Sequence, residues 1–196
     1  MDEFKRRKKQ QLMKQDRSTA GKWDNRILKL CNKINKNPDM YTTSSCSGRI
    51  VLLYDSLKKK EDLFILRSHE LEDWEEIFWI LKKLEAKWKE RSPGAEEKGI
   101  VLFKQEPCIL TVACRNMETA GKMLDIARER AGWKNSGIMS LKRNICELRS
   151  TEHLALPVMK DGKIIISEDY LKILASEANS RLKATWTKIE RLEKLF

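Results

Sequence analysis

The residues best suited to chemistry lie in one short segment, Tyr41 to Arg49, with the sequence YTTSSCSGR. Its last eight residues hold five hydroxyl side chains, one thiol, one glycine and one arginine. Gly48 permits a positive φ or a close backbone approach, and Arg49 offers a planar fork of donors to a carboxylate or a phosphate. Because the segment stands directly before a predicted strand, we interpret it as a loop that presents hydrogen bonds to a ligand. A Ser/Thr-rich turn that satisfies only its own backbone is the alternative.

Three further residues carry groups that could take part in a reaction. His69 ends a predicted strand, where an imidazole could act as a base near neutral pH. Cys46 with His69 could form the nucleophile and base of a thiol-dependent hydrolase, although free cysteines are more often small buried hydrophobes. Arg115 ends an apolar segment just before a helix, at a sheet edge where ligands commonly bind. An ion pair with a carboxylate is the alternative for Arg115.

The spacing of glycine, histidine and cysteine excludes several common sites. No GxG pair occurs, so the dinucleotide-binding fingerprint of a Rossmann fold is absent. Gly94 and Gly99 have the spacing of a phosphate-binding loop, but Ile100 and Val101 stand where Lys and Ser/Thr are required. The chain has two histidines, no HExxH motif and no CxxC pair among its five cysteines. We therefore expect no metal centre and no disulfide scaffold.

Charge is segregated along the 196 residues, whose formal net charge is +11. Residues 1–22 form a basic N-terminal arm with eight basic and three acidic side chains, whereas Glu61 to Glu90 holds five basic and nine acidic ones. The overall excess of positive charge favours a polyanion, nucleic acid first, as the partner. The arm is predicted to contact RNA phosphates through Lys5, Arg6, Arg7, Lys8, Lys9 and Lys22. A solvated arm without a partner is the alternative.

Apolar spacing predicts four helices with strands between them. Two have clear boundaries: Trp74 to Trp88, with Asp73 and Glu76 as a capping box, and Met117 to Ala131, between Asn116 as N-cap and Gly132 as C-cap. The other two cover Trp23 to Ile34 and the residues after Ser167. Strands are predicted at Arg49 to Tyr54, Leu63 to Arg67, Ile100 to Phe103, Cys108 to Cys114, Ile138 to Leu148 and Lys163 to Ile166. Residues 90–99, which include Pro93 and Gly94, are predicted to form a surface loop.

Several of these strands follow one another without a helix, which predicts an α+β fold: a mixed, largely antiparallel sheet flanked by helices, and not a Rossmann fold. We expect a single domain over residues 1–196. The apolar runs are far shorter than the roughly 18 residues of a membrane-spanning helix. The basic N-terminus lacks the apolar stretch of a secretory signal, so a cytoplasmic protein without a membrane partner is expected.

Taken together, these residues resemble the tRNA wybutosine-synthesizing protein 3 family from Phe4 to the last helix. The most specific element is TTSSCSGRI, Thr42 to Ile50. Supporting elements are Asp16, Ser18, Gly21, Asp24, Ser68-His69, Phe103-Lys104, Glu106-Pro107, Arg115, Ser136-Gly137-Ile138, Pro157, Tyr170 and Ala178-Asn179. The chain departs from the family pattern at Thr111, where a histidine is usual, and at Ala20, where a lysine is usual.

The resemblance implies an S-adenosylmethionine-dependent methyltransferase that acts on tRNA-Phe. Its acceptor would be N4 of 7-(3-amino-3-carboxypropyl)-4-demethylwyosine at position 37, in the single-stranded anticodon loop, where bases can be splayed out and stacked. No obligate protein partner is expected. A non-catalytic RNA-binding module of the same fold and the thiol-dependent hydrolase are the alternatives.

The resemblance also suggests which residues form the site. The expected cofactor-binding or substrate-binding residues are Ser44, Ser45, Cys46, Ser47, Gly48, Arg49, Arg115, Ser136 and Gly137. Hydroxyl groups and a guanidinium suit the ammonium and carboxylate groups of the cofactor or of the aminocarboxypropyl chain. His69 is the candidate to receive a proton or to orient the base. Positioning should dominate catalysis, because acceptor nitrogen, methyl carbon and sulfur must line up for the displacement.

Overall fold

The computed structural model describes residues 2–13, 24–55, 63–90 and 99–196. Its helices are α1 (Glu3–Leu12), α2 (Asn25–Lys36), α3 (Trp74–Lys89), α4 (Met117–Asp125), which continues into a π-helical turn over Ile126–Arg130, and α5 (Glu168–Glu193). Its strands are β1 (Met40–Cys46), β2 (Arg49–Asp55), β3 (Phe64–Ser68), β4 (Ile100–Glu106), β5 (Ile109–Cys114), β6 (Gly137–Ser140), β7 (Ile145–Arg149), β8 (Leu154–Lys160) and β9 (Lys163–Ile164).

These elements form two compact units. The first unit comprises Met1–Gly48, Pro107–Thr151 and Ala184–Phe196, and the second comprises Arg49–Glu106 and Glu152–Lys183. The prediction of a single domain over residues 1–196 stays a prediction. None of the helices in the described ranges is long and apolar enough to cross a membrane.

The first unit contains a four-stranded antiparallel sheet in the order β1-β5-β7-β6. Because side chains alternate between the faces of a sheet, Leu110, Val112 and Leu148 all point to one face. There they form the core with side chains of α2, α4 and the end of α5. Trp133 is fully buried in this core, and its indole Nε1 donates a hydrogen bond to the carbonyl of Lys188 at 3.1 Å. The opposite face, here called the polar face, carries the alternate residues of the same strands.

The second unit contains a five-stranded antiparallel sheet in the order β3-β2-β4-β8-β9, with α3 and the first part of α5. The carboxylate of Glu85 in α3 accepts a hydrogen bond from the N–H of Ile164 in β9 at 3.1 Å, and this bond lowers the pKa of Glu85. Gly162, with φ +77°, precedes β9 at a position where a Cβ would lie 2.2 Å from the ring of Trp88. Only glycine fits this close approach.

The predicted α+β class is confirmed, and all strand pairs of the described residues are antiparallel, but they form two sheets where one was expected. The helices predicted near Trp74, Met117 and Ser167 are present, and α2 begins at Asn25. Residues 14–23 lie outside the described residues. Asn116 caps α4, since its side chain accepts from the N–H of Thr119, and Gly132 follows with φ +80°. The capping box was wrong, because Asp73 makes no side-chain cap hydrogen bond.

Two strands and one turn were not predicted, each for a local reason. The hydroxyl-rich segment is not a loop, because Met40–Cys46 forms strand β1 with a bulge between Thr42 and Ser44. The stretch Ile138 to Leu148 is a hairpin, which turns through Asn144 at φ 50°, a conformation that asparagine tolerates. Strand β8 was missed because Pro157 interrupts it, and the proline is accommodated at a bulge.

Candidate functional site

A row of cross-strand neighbours on the polar face of the first unit joins several predicted site residues. The register pairs Ser44 of β1 with Thr111 of β5, Thr111 with Glu147 of β7, and Glu147 with Gly137 of β6. The hydroxyl of Ser44 donates to the hydroxyl of Thr111 at 3.0 Å. Thr111, the position at which this chain departs from the family pattern, is therefore in direct contact with the hydroxyl-rich motif.

The hydroxyl-rich motif divides its side chains between the two faces of this sheet. Ser44 and Cys46 pair with Thr111 and Ile109, which belong to the polar face. Ser45 pairs with Leu110 of the core, on the side of the buried Cys31. Burial raises the pKa of the Cys31 thiol. Ser45 and Thr42, which pairs with Val112, thus lie on the core face, whereas Ser44 faces the other way.

The end of the motif is a turn held by an acidic side chain. The backbone N–H of Ser47 donates to the carboxylate of Asp24 at 2.6 Å, and Gly48 adopts φ +92°. The hydroxyl oxygen of Ser47 is buried without a hydrogen-bond partner among the described residues. Buried polar groups normally have a hydrogen-bond partner, so a ligand or a water molecule could form a hydrogen bond with this hydroxyl.

A second cluster of predicted residues lies at one end of the sheet of the second unit. Arg49 pairs with Glu106 in the register of β2 and β4, and its Nε donates to the Glu106 carboxylate at 2.6 Å. The guanidinium carbon of Arg49 also lies 5.1 Å from the ring centre of Phe64. Ile50 pairs with Ser68, the last residue of β3, and the half-buried His69 follows Ser68 in a bend. The structure thus brings Arg49 and Glu106 together and places His69 next to the end of β3.

Arg115 has a partner set that differs from the predicted one. Its guanidinium donates to the carboxylates of Asp2 and Asp39 and lies over the ring of Phe4, with 4.8 Å between the guanidinium carbon and the ring centre. The hydrogen bond from Arg115 and the N–H of Phe4 lower the pKa of Asp2. The ion-pair alternative therefore describes Arg115, which links α1 to the loop before β1. Its role in binding a cofactor or substrate stays a prediction.

Ser136 and Gly137 have different surroundings although they are adjacent. The hydroxyl of Ser136 donates to the carbonyl of Trp133 at 2.6 Å and accepts from the N–H of Arg149 at 3.1 Å, so it stabilises the turn before β6. Gly137 stands opposite Glu147, and a Cβ built on it would meet no other atom of the described residues within 4 Å. Within the described part of the chain, there is therefore open space beside this end of the row.

The predicted RNA-binding cations lie on helix α1, which the sequence analysis treated as an arm. Lys5, Arg6 and Lys9 are exposed, and Arg7 is half-buried. Lys8 is half-buried as well, and its ammonium donates to the carbonyl of Asn37, while burial lowers its pKa. Lys22 and Ala20, like residues 91–98 of the predicted surface loop, lie outside the described residues.

Glu106, Glu147 and Arg149 were not among the predicted site residues, although Glu106 is one of the residues that carry the family resemblance. A signal was available for the last two, because the segment ICELR alternates apolar and charged residues with the period of a strand. That alternation predicts two charged side chains on one face, although it cannot say which strand lies beside them.

Comparison with known proteins shows similarity over nearly the whole chain. The family described as Methyltransferase TYW3 matches residues 4–196. A tRNA(Phe) 7-((3-amino-3-carboxypropyl)-4-demethylwyosine(37)-N(4))-methyltransferase from Methanocaldococcus jannaschii is 33% identical, with 82% of this chain and 79% of that protein covered. The tRNA wybutosine-synthesizing protein 3 homolog from Bos taurus is 32% identical, with 96% and 70% covered. A solved structure of a Pyrococcus horikoshii protein is 31% identical, covers 97% of this chain and 92% of its own, and has a TM-score of 0.82.

Proposed function

Because this chain belongs to the TYW3 methyltransferase family, we propose that it methylates N4 of 7-(3-amino-3-carboxypropyl)-4-demethylwyosine at position 37 of tRNA-Phe, with S-adenosylmethionine as the methyl donor. The observation that carries the proposal is the family match over residues 4–196, joined by archaeal relatives whose names state this reaction. The absence of a GxG pair agrees with a fold of two antiparallel sheets. A tRNA substrate also fits the cytoplasmic location expected from the sequence.

The residues of the hydroxyl-rich motif fit a sulfonium amino acid as donor. The buried Ser47 hydroxyl, which has no hydrogen-bond partner in the described ranges, and the Ser44 hydroxyl on the polar face can both bond to polar groups of a ligand. When bound, S-adenosylmethionine supplies an electrophilic methyl group. The protein has to hold acceptor and donor in line, exclude water and accept the proton that leaves N4.

His69, which follows the last residue of β3, is the proposed proton acceptor, and the pair of Arg49 and Glu106 lies at the same end of β2 and β4. The Arg49 to Glu106 bond keeps the guanidinium in a fixed orientation, which leaves its remaining donors available to a carboxylate or phosphate. On this proposal His69→Ala lowers kcat, and Arg49→Ala raises KM. Full activity of His69→Ala would remove His69 from the mechanism, and an unchanged KM in Arg49→Ala would remove Arg49.

The substrate RNA is proposed to lie against the exposed cations of α1. Lys5, Arg6 and Lys9 offer point charges and a planar fork to phosphate oxygens. Such contacts fix the position of an RNA backbone without reading its sequence. Recognition of the modified base then falls to the sites described above.

The direct test is a methyl-transfer assay on the natural precursor. The protein and S-adenosylmethionine are incubated with tRNA-Phe bearing the demethylated precursor, and the digested RNA is examined by mass spectrometry. We expect a nucleoside heavier by one methyl group, with the methyl at N4. The control is tRNA-Phe with unmodified guanosine at position 37, which should gain nothing. Binding of the precursor tRNA without methyl transfer would instead favour a non-catalytic RNA-binding module.

A further inference from the structure

Strand β7 carries two oppositely charged side chains on the polar face of the first unit. Glu147 pairs with Thr111, and Arg149 pairs with Ile109, so the two charges lie on the same face, two residues apart. Two residues of a strand span about 7 Å between Cα atoms. Both side chains are half-buried.

Neither charge is neutralised by another side chain in the described parts of the chain. No ion pair or side-chain hydrogen bond joins Glu147 or Arg149 to another described residue, and the hydrogen bonds of Arg149 use only its backbone. Removing a charge from water is costly unless a partner replaces the lost hydration. Glu147 keeps all its acceptor sites and Arg149 keeps its fork of donors, so both can take a ligand of matching charge.

The surroundings of the two charges provide room and neutral hydrogen-bonding groups. Gly137 faces Glu147 across the strand pair, and no atom of the described residues lies within 4 Å of the position of its missing Cβ. On the other side stand the linked hydroxyls of Thr111 and Ser44. The set is an anion, a cation and two hydroxyls around open space on a rigid sheet.

We propose that Glu147 and Arg149 bind an α-amino-carboxylate group, with the ammonium on Glu147 and the carboxylate on Arg149. This inference rests on the proposed function, which offers two sources of that group. One is the methionine end of the methyl donor, and the other is the aminocarboxypropyl chain of the modified base. Both place an ammonium and a carboxylate on one carbon, which suits two opposite charges spaced along a strand.

The first arm of the test compares two ligands by calorimetry. S-Adenosylhomocysteine carries the amino-acid end of the donor, whereas 5′-methylthioadenosine lacks it. If the methionine end binds here, Glu147→Gln and Arg149→Gln weaken S-adenosylhomocysteine binding between about tenfold and a hundredfold, since a hydrogen bond to a charged group is lost. Their affinity for 5′-methylthioadenosine stays unchanged, and Arg149→Lys, which keeps the charge, recovers part of the loss.

The second arm tests whether the aminocarboxypropyl chain of the modified base binds to these two residues. Wild type and variants are assayed on precursor tRNA with and without the aminocarboxypropyl chain. If that chain binds here, S-adenosylhomocysteine affinity is unaffected, and the wild-type preference in kcat/KM for tRNA with the chain disappears in both variants. Glu190→Gln and Arg128→Gln, at exposed positions of the same unit, are matched controls that should change neither preference.

Two preferences decide the test: that for S-adenosylhomocysteine over 5′-methylthioadenosine, and that for tRNA with the aminocarboxypropyl chain over tRNA without it. The proposal is overturned if folded Glu147→Gln and Arg149→Gln keep both preferences, or if the wild type shows neither. Thermal unfolding checks folding, and Glu147→Asp and Arg149→Lys replace any variant that does not fold. A wild type that prefers S-adenosylhomocysteine and loses this preference in the variants, yet transfers no methyl group, supports the site and contradicts the proposed function. The two failures are therefore distinguishable.

Discussion

At the scale of single residues, Gly137 offers a substitution that separates ligand space from stability. A methyl group at Gly137 meets nothing within 4 Å, and alanine restricts the unfolded chain, so Gly137→Ala should keep or raise the free energy of unfolding by about 0.4–1 kcal/mol. Its kcat/KM for methyl transfer should nevertheless fall, because the added methyl occupies space beside Glu147. Thermal unfolding and the methyl-transfer assay measure the two effects.

Gly121 is the matched control for this substitution. It lies in α4, and a Cβ there also meets nothing within 4 Å. Gly121→Ala should stabilise the protein through helix propensity and leave methyl transfer unchanged. Equal activities of the two variants would show that the space beside Gly137 takes no part in the reaction.

Cys46 is the residue that decides between a methyltransferase and a thiol-dependent hydrolase. Cys46→Ser should keep the methyl-transfer rate, because the displacement needs no thiolate. The other four cysteines are buried, so a mild alkylating reagent should label Cys46 first in the native protein. Loss of all activity in Cys46→Ser, with the fold retained, would support a thiol-dependent hydrolase instead.

At the scale of elements, helix α1 packs against β1 and its neighbouring residues through ring contacts, hydrogen bonds and ion pairs. Phe4 packs on Tyr41 with 5.3 Å between ring centres, Gln11 donates to the carbonyl of Thr43, and Arg115 bonds to Asp2 and Asp39. Arg115→Ala should therefore speed hydrogen exchange in α1 several-fold and leave exchange in α4 unaltered. It should also weaken tRNA binding, since the cations of α1 lose their fixed position. Unchanged exchange in α1 would show that Phe4 holds the helix without the ion pairs.

The attachment of α1 should also depend on pH in a defined direction. Arg115 and the N–H of Phe4 lower the pKa of Asp2 below its usual value of 3.8. A carboxyl group whose pKa is lowered on folding stabilises the folded state above its unfolded pKa, and this contribution is lost as the pH falls through the folded pKa. The NMR signals of the Phe4 ring should therefore be constant near neutral pH and shift below pH 3.8. In Asp2→Asn this shift should be absent.

At the scale of the whole molecule, the net charge of +11 predicts a salt-dependent affinity for tRNA. Replacing the exposed Lys5, Arg6 and Lys9 by glutamine should reduce the slope of log affinity against log salt by about 2, at roughly 0.7 per lost phosphate contact on single-stranded RNA. The control replaces Lys83, Lys87 and Lys89 of α3, which belong to the net acidic segment Glu61 to Glu90, and should leave the slope unchanged. Filter binding over a salt series measures both. A flat response of the wild type would contradict the proposed RNA contacts.

The sequence by itself determined the family, the α+β class and most helix boundaries. Periodic apolar residues and caps such as Asn116 are local signals, and a segment as specific as TTSSCSGRI needs no structure to be recognised. Strand β1 was not predicted because its hydroxyl-rich sequence is typical of turns. Strand β8 was not predicted because it contains Pro157, and proline is normally excluded from a strand interior.

Only the tertiary structure decided which of these residues are neighbours. Strand register is set by pairing between distant segments, so no local pattern could place Ser44 beside Thr111, or Thr111 beside Glu147. The same holds for Arg115, whose partners Asp2 and Asp39 come from segments far away in sequence. The types of residue are local information, whereas the juxtaposition of an anion, a cation and two hydroxyls on one face arises from the pairing of β1, β5 and β7.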